Sequence, residues 1–233
     1  MEDSSFFDRP IHGGVAKKLL DTLDPMSESD IGQVVTIHIR EIGDGIFTEL
    51  GPDFLRLFYR HVIASPFAMG YVVKKDGKIL GFIAGTNDAG MFLKQLFRRF
   101  FLQTGWIVCK RAITQPVFLP LLLKRVAMNR NKGRCAESLA GAVLKEYQQC
   151  GYGVILLKKI IDDLRATGIE RIHCDVVEDA GNATVVKLHQ MYRRGGYVPV
   201  KSFHVGPVKY IRYQRSLVLK ENGRDENSTG PHM

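Results

Sequence analysis

The chain has 233 residues, of which 45% are hydrophobic and 24% charged, so its composition is that of a folded globular protein and excludes a disordered or fibrous one. No apolar run reaches the roughly 18 residues of a membrane span, and the N-terminus MEDSSFFDRP lacks an apolar signal segment, so we expect a cytoplasmic protein. The four cysteines form no CxxC pair, and we expect them to be reduced thiols. The net charge of +9 comes from residues 91–134, which hold ten Lys or Arg and no Asp or Glu.

The first half of the chain predicts two helices and a hairpin. Residues 1–14 are expected to be loosely ordered, and a short strand is expected to end at Asp24-Pro25. The spacing of Ser27–Asp30 is that of a capping box, so a helix should follow over IGQVVTIHIREI. After the loop GDGIFTELGP, the periodicity of DFLRLFYRHVI predicts a second helix. The pair Asp76-Gly77 lies between two β-rich runs and predicts a two-residue hairpin turn.

The basic block, residues 91–134, begins with the amphipathic segment MFLKQLFRRFFL. One helical face of this segment is apolar and the opposite face is basic, the apolar residues being Leu93, Leu96, Phe97, Phe100 and Phe101. The pattern fits helices that pack on the core, and it also fits peripheral attachment to an anionic membrane surface or capture of an acidic or lipid-linked substrate. Nucleic acid is a further alternative, and we favour lipid over it because the apolar face is large.

The second half of the chain alternates strands and helices. ESLAGAVL predicts a strand, the glycine turn YQQCGYG follows, and a helix should run from Val154 to about Thr167 with Gly168 at its end. IERIHCDVV predicts another strand, TVVKLHQMYRR another helix, and the segments around Gly206-Pro207 a closing hairpin. Residues 220–233 are polar and are expected to be disordered. The element order predicts an α/β (α+β) fold in which helices flank a mixed sheet.

The glycine turn lies between a predicted strand and a predicted helix, where backbone N–H groups without partners can bind phosphate. A dinucleotide-binding fingerprint would need a third glycine at the position of Leu156, and a P-loop would need Gly-Lys-Ser/Thr where Val154-Ile155 stand. The remaining pattern is Gln148-x-x-Gly151-x-Gly153. It predicts a phosphate site formed by the N–H groups near the start of the helix, with glycines where the phosphate approaches.

This pattern resembles the Arg/Gln-x-x-Gly-x-Gly/Ala signature of the GNAT superfamily of N-acetyltransferases, and the element order is similar to the topology of that family. The resemblance implies one acyl-CoA N-acyltransferase domain over residues 15–219, with a mixed, mostly antiparallel sheet. It also implies that residues 87–136 are an insertion between the third and fourth strands, where the family has a short link. The pyrophosphate of acetyl-CoA would bind at the turn, whose residues are Gln148, Gln149, Cys150, Gly151, Tyr152 and Gly153.

The resemblance also implies roles for residues of the strand before the turn. Glu137 matches the catalytic glutamate of the histone-acetyltransferase branch in strand and spacing, so it is a candidate general base; the alternative is a strand-edge or substrate-contact carboxylate. Backbone donors along Ala142, Val143 and Leu144 would pair with the pantetheine arm as an added strand would. Of these, Val143 is expected to polarise the thioester carbonyl.

The resemblance also implies roles for two residues of the last predicted helix and its start. Tyr192 lies four residues before Gly196, as the tyrosine beside the CoA sulfur does in the family, and could protonate the leaving thiolate; the alternative is a packed tyrosine. Asn182 is similar to the asparagine that opens this helix and contacts CoA. The family usually has seven residues from this asparagine to the tyrosine, whereas here there are ten, with His189 at the seventh. We expect His189 to be a surface or packing residue.

The sequence therefore predicts an acetyl-CoA-dependent N-acetyltransferase that acts on a primary amine of an unidentified acceptor. Direct transfer in a ternary complex is expected because no cysteine is placed as a nucleophile, Cys150 lying in the phosphate turn. No metal site is predicted, since His173 and Cys174 are strand neighbours that should point to opposite faces. The alternatives are a non-catalytic acyl-CoA-binding module that docks through the basic block, and a basic nucleic-acid-binding protein.

Overall fold

The computed structural model describes residue 19, residues 21–43, 45–114, 120 and 136–218. The predictions for residues 1–14 and 220–233 and for the second half of the basic block lie outside these ranges. The predicted bounds of the domain, 15–219, and of the insertion, 87–136, also include residues outside them and stay predictions. No helix within the described ranges is both long and apolar enough to span a membrane.

The described residues form seven strands and seven α-helices. The strands are β1 (Leu23–Pro25), β2 (Ala68–Lys75), β3 (Lys78–Thr86), β4 (Ala136–Val143), β5 (Arg171–Val177), β6 (Val198–Val205) and β7 (Val208–Ser216). The helices are α1 (Ile31–Ile42), α2 (Ile46–Glu49), α3 (Pro52–Ala64), α4 (Ala89–Arg99), α5 (Phe101–Thr114), α6 (Tyr152–Ala166) and α7 (Ala183–Arg194). Short 3-10 helices at Glu28–Asp30 and Lys145–Tyr147 precede α1 and follow β4.

The strands form one sheet in the order β1-β2-β3-β4-β5-β7-β6. Every neighbouring pair is antiparallel except β4 and β5, which are parallel. Helices lie on both faces: α1, α3 and α4 share one core cluster with β3, while α6 and α7 share another with β5 and β7. The predicted fold, a mixed and mostly antiparallel sheet flanked by helices, is confirmed.

The two parallel strands at the centre of the sheet separate soon after they meet. β5 pairs with β4 only over Ala136–Ser138, whereas β3 stays paired with β4 as far as Val143. In the described part of the chain, the edge of β4 that faces β5 therefore has no strand partner beyond Ser138. The sheet opens at this point, and the opening lies directly before the glycine turn.

Local sequence signals account for several of the elements. Asp76 and Gly77 have φ values of 50° and 76°, the conformation of a type I′ hairpin turn, as their identities predicted. The backbone N–H of Ser27 donates to Asp30 at 2.8 Å, which is half of the predicted capping box. Gly168 has φ +71° just after α6, and its N–H donates to the carbonyl of Arg165, as expected of a residue that ends a helix.

Two helices, α4 and α5, follow β3 within the region predicted to be an insertion. The predicted inner face of α4 is buried at Leu93 and Leu96. The assignment of Phe101 to that face was wrong, because α4 ends at Arg99 and a new helix begins at Phe101, whose side chain is 72% exposed. The helical periodicity is interrupted at Phe100, so Phe101 does not continue the face that packs on the core.

A buried imidazole lies in the core between α1, α2 and α3. The Nδ1 of His38 lies 2.6 Å from the Tyr59 hydroxyl, and its Nε2 lies 3.1 Å from Thr48 Oγ1. The ring also stacks on Phe82. Because burial penalises the charged form, it lowers the pKa of His38 to about 4. The side chain is therefore neutral at physiological pH.

This burial predicts a pH-dependent loss of stability. The pKa of His38 is lower in the folded chain than in the unfolded chain, so its contribution is complete above about pH 6.5 and is lost as the pH falls towards 4. Between pH 7 and pH 5 the free energy of unfolding should fall by about 2 kcal/mol on account of this residue. Urea unfolding of the wild type and of His38→Gln at both pH values measures the difference. The two proteins share all other titrating groups. An equal change in the free energy of unfolding between pH 7 and pH 5 in both would therefore contradict the assignment of this loss to His38.

Candidate active site

A cavity of about 450 Å³ lies where β4 and β5 separate. Its walls come from β3, the open edge of β4, the glycine turn, the first turns of α6 and one face of α7. Seven of the residues predicted for the site line it, namely Ala142, Val143, Gln148, Gln149, Gly151, Gly153 and Tyr192. Five others do not line it, namely Glu137, Leu144, Cys150, Tyr152 and Asn182.

The backbone of β4 directs only some of its donors into the cavity. The N–H of Leu144 donates to the carbonyl of Leu80 on β3 at 2.8 Å, so this predicted donor is not available to a ligand. Neighbouring residues of a strand direct their N–H groups to opposite edges, so the N–H of Val143 faces the opening, as does that of Gly141. The Gln148 amide donates to the Val143 carbonyl at 3.1 Å, which agrees with this orientation. By the same alternation the N–H of Ala142 faces β3.

The glycine turn presents a row of N–H groups at the start of α6. Gln149 and Gly151 both have positive φ, at 68° and 88°, which turns the chain sharply into the helix. Within the described residues, none of the N–H groups from Gln149 to Gly153 has a hydrogen-bond partner. These donors lie at the positive end of a helix of 15 residues, which is a favourable place for an anion.

The structure explains the presence of a glycine differently at the two positions of the turn. Gly151, at φ +88°, adopts a left-handed conformation that other residues rarely take. Gly153 has no such constraint, and a Cβ atom added there would meet only Val143 Cγ2, at 3.8 Å. Packing within the protein therefore does not require a glycine at 153. The missing side chain leaves space in the cavity wall beside the N–H groups of the turn, which fits the close approach of a phosphate.

Tyr192 lies in the cavity wall with its ring in the core. The ring stacks on Tyr213 and meets the edge of Tyr197, and the side chain is buried. Burial, together with the nearby Cys174 and Tyr197, raises the pKa of the Tyr192 hydroxyl well above its usual value. The hydroxyl, which also shares a hydrogen bond with the buried Cys174, carries its proton at neutral pH as an ordinary tyrosine does, and the raised pKa means that the proton is held more tightly.

The remaining predicted residues of α7 have structural roles. Asn182 is the N-cap of the helix, and its Oδ1 accepts from the N–H of Thr184 at 3.0 Å. His189 bridges two strands: its Nδ1 lies 2.9 Å from the Tyr213 hydroxyl, and its Nε2 lies 2.9 Å from the Val177 carbonyl. It is thus the expected packing residue, and it fixes the face that α7 turns to the cavity.

The sequence interpretation missed most of the cavity face of α7. Thr184, Lys187, Leu188 and Met191 line the cavity beside Tyr192. They occur at the i, i+3, i+4, i+7 spacing of one helical face. This face lies beside the direction of Tyr192 on the helix, so the prediction for Tyr192 alone did not identify it.

Glu137 lies at the start of β4, outside the cavity lining and just before the strands separate. Glu137 is 3% exposed and is paired in the sheet with Thr86 of β3 on one side and His173 of β5 on the other. His173 in turn contacts Gln214 of β7, with 2.9 Å between Nε2 and Oε1. The three side chains occupy one register row, and His173 lies on the face opposite the buried Cys174, as predicted.

A second polar row lies two residues further along β5. Asp175 accepts two hydrogen bonds from the guanidinium of Arg212, at 2.5 and 2.6 Å, and both side chains are almost fully buried. A buried bidentate pair of this kind holds β5 and β7 in register. In the described ranges, no group of three or more His, Cys, Asp or Glu side chains could hold a metal ion.

Comparison with known proteins agrees with this geometry. The family model described as "Acetyltransferase (GNAT) family" matches residues 38–195. No curated protein sequence matches the chain. Similar solved structures include an assigned GNAT-family acetyltransferase from Desulfovibrio desulfuricans, with 14% identity, 84% of this chain and 98% of that chain covered, and a TM-score of 0.55.

Two further similar structures are named as enzymes of ribosomal proteins. The ribosomal-protein-S18-alanine N-acetyltransferase from Escherichia coli has 14% identity, covers 86% of this chain and 96% of its own, and has a TM-score of 0.52. The ribosomal-protein-alanine N-acetyltransferase from Brucella melitensis has 12% identity, covers 83% and 98%, and has a TM-score of 0.53. At such identities these likenesses establish the fold.

Proposed function

Since the chain belongs to the acetyltransferase (GNAT) family and is an N-acetyltransferase, we propose that it transfers an acetyl group from acetyl-CoA directly to a primary amine in a ternary complex. The observation that supports this best is the continuous path from the open edge of β4 to the N–H groups of the glycine turn, which have no partner among the described residues. That path offers an edge for an extended amide chain and an anion site at its end. Acetyl-CoA, the co-substrate of the family, has both parts.

The residues that would hold acetyl-CoA follow from this path. The N–H groups from Gln149 to Gly153 and the start of α6 bind the pyrophosphate. The N–H groups of Gly141 and Val143 face the opening and pair with the pantetheine arm, as an added strand would. We keep Val143 as the donor that polarises the thioester carbonyl. When bound, acetyl-CoA supplies the acetyl group as a thioester.

The amine must lose a proton before it can attack. An alkylamine with a pKa near 10 is only about one part in a thousand neutral at pH 7, so a general base accelerates the reaction. We propose Glu137 for this role, with His173 beside it in the same register row. The ammonium group gives one proton to the Glu137 carboxylate, the neutral nitrogen then bonds to the acetyl carbon, the carbon–sulfur bond breaks, and the second proton leaves the nitrogen to water.

The leaving thiolate must gain a proton. Tyr192 lines the cavity, and its hydroxyl is protonated at neutral pH, as that of any tyrosine with an ordinary or raised pKa is. We propose that it donates this proton to the sulfur. Asn182 is kept as a residue near CoA through its place at the start of α7. The acceptor is proposed as a primary amine, a class that includes the alanine amino group named for two of the similar structures.

A thermal-shift titration tests the cofactor. Acetyl-CoA at about 100 times its Kd should stabilise the fold by about 2.7 kcal/mol, which appears as a raised Tm. S-Acetylpantetheine is the matched control ligand: it keeps the acetyl thioester and the pantetheine amides but lacks the pyrophosphate, so it should shift Tm far less. No shift at millimolar acetyl-CoA would contradict the proposal. A positive result leads to an amine panel, read out by release of the free CoA thiol.

A further inference from the structure

The outward face of α5 is apolar although the helix is already attached to the core by its other face. Leu102, Trp106 and Ile113 are 81%, 74% and 81% exposed. They occur at i, i+4 and i+11, which places them in one stripe along the helix. The opposite side of α5 packs inward, where Ile107 and Val108 join the core and Thr104 is buried. Attachment of the helix therefore does not explain the exposed stripe.

The same pair of helices carries only positive charge. Residues 91–114 contain five Lys or Arg and no Asp or Glu. Lys94, Arg98 and Arg99 are exposed on α4, and Lys110 is exposed on α5 next to the apolar stripe. Arg98 and Arg99 lie within three residues of the exposed Phe101, at the junction of the helices. The surface therefore combines large apolar side chains with cations at their border.

This combination matches one partner chemistry better than the others. Nucleic acid would satisfy the cations but would leave the aliphatic Leu102 and Ile113 in water. An apolar protein surface would cover the stripe, but it would not explain why the charged residues beside the stripe are all basic. An anionic lipid surface satisfies both, because apolar side chains enter the acyl boundary while Lys and Arg stay among the headgroups.

We propose that α4 and α5 form a docking surface for an anionic membrane, with α5 lying in the plane of the interface. The surface is held on the domain by a specific contact: the imidazole of His61, buried on α3, lies 3.1 Å from the Phe92 carbonyl of α4 and donates to it. This contact fixes α4, and α5, which carries the stripe, packs on the core through Ile107 and Val108. The proposal is independent of acetyl transfer, and its test does not use activity.

The chain provides its own reporter, because Trp106 is its one tryptophan. Full-length protein is titrated with vesicles of phosphatidylcholine alone or with one quarter phosphatidylglycerol. With the anionic vesicles we expect a blue-shifted Trp106 emission, protection from acrylamide quenching and co-sedimentation, all weakened by high salt. With the neutral vesicles we expect little change. A blue shift that depends on protein concentration without lipid, or that occurs with RNA alone, overturns the proposal.

Variants separate the apolar part from the charged part and keep the reporter. Leu102→Asp with Ile113→Asp should lower partitioning into anionic vesicles at least tenfold. Arg98→Gln with Arg99→Gln should lower it roughly 25-fold, as each cation near the surface contributes about fivefold. Val198→Asp, at a 56% exposed position on β6, is the matched control and should bind as the wild type does. Unchanged binding in both double variants, with unchanged Tm, overturns the proposal.

Discussion

Replacement of Glu137 by Gln is expected to lower kcat by about 10² to 10⁴ at pH 7, the usual contribution of a general base, while KM for acetyl-CoA changes little. Gln is nearly the same size as Glu, so the buried site at the start of β4 is not emptied. The residue lies outside the lining of the cavity, so cofactor binding should persist. Steady-state kinetics with a saturating amine, at pH values from 6 to 10, measures the effect.

The pH profile distinguishes a base from a structural carboxylate. As the pH rises towards the pKa of the amine, more of the amine is already neutral, so the ratio of wild-type to variant kcat should shrink. Glu170→Gln, at an exposed position just before β5, serves as the control for loss of one negative charge. A Glu137→Gln enzyme within threefold of wild type at pH 7 would assign this carboxylate to the strand edge. A constant ratio across the pH range would mean the same.

The sequence was most informative where a few adjacent residues determine the backbone. Asp76-Gly77 specifies its turn through two positive φ values, and Gly151 specifies the entry into α6 in the same way. The elements around these turns could be predicted because the signals are local. The glycine turn was predicted from such a signal, and two of the four β4 residues that line the cavity, Ala142 and Val143, were predicted with it.

The orientation of residues along β4 could not be predicted from the sequence, because a bulge changes the alternation. Ala84 of β3 pairs with Ala140 and Gly85 pairs with Ser138, so Leu139 is an extra residue. Ala136 and Val143, seven positions apart, consequently pack in the same cluster beside α6, which strict alternation would forbid. No residue type marks this bulge, and it decides which N–H groups of the strand face the opening.

The cavity face of α7 was missed for a different reason. The face is fixed by the two contacts of His189 with Tyr213 and Val177, which come from β7 and β5. A helix with polar and apolar residues on several sides does not show which side meets the sheet until those strands are in place. The exposed Phe101 is a similar case, since the break between α4 and α5 has no proline or glycine to predict it.

Gly153→Asp should separate folding from binding, because we expect the two to change in opposite directions. The added Cβ atom would meet only Val143 Cγ2, at 3.8 Å, and the backbone at 153 is helical, so a side chain can be attached there without backbone strain. A carboxylate in the first turn of α6 interacts favourably with the helix dipole, so Tm without ligand should stay the same or rise slightly. The same charge repels a pyrophosphate at this position, so the Kd of acetyl-CoA should rise by a factor of about 100 or more.

The matched variant is Gly168→Asp, which places the same carboxylate just beyond the other end of α6. Gly168 has φ +71° and open space around it, so the substitution should lower Tm through backbone strain and leave the Kd unchanged. Calorimetric titration with acetyl-CoA and thermal unfolding without ligand complete the comparison. A Gly153→Asp protein that binds acetyl-CoA as tightly as the wild type would place the pyrophosphate elsewhere. Since its fold would be intact, that result would reject the proposed anion site and not merely report a damaged protein.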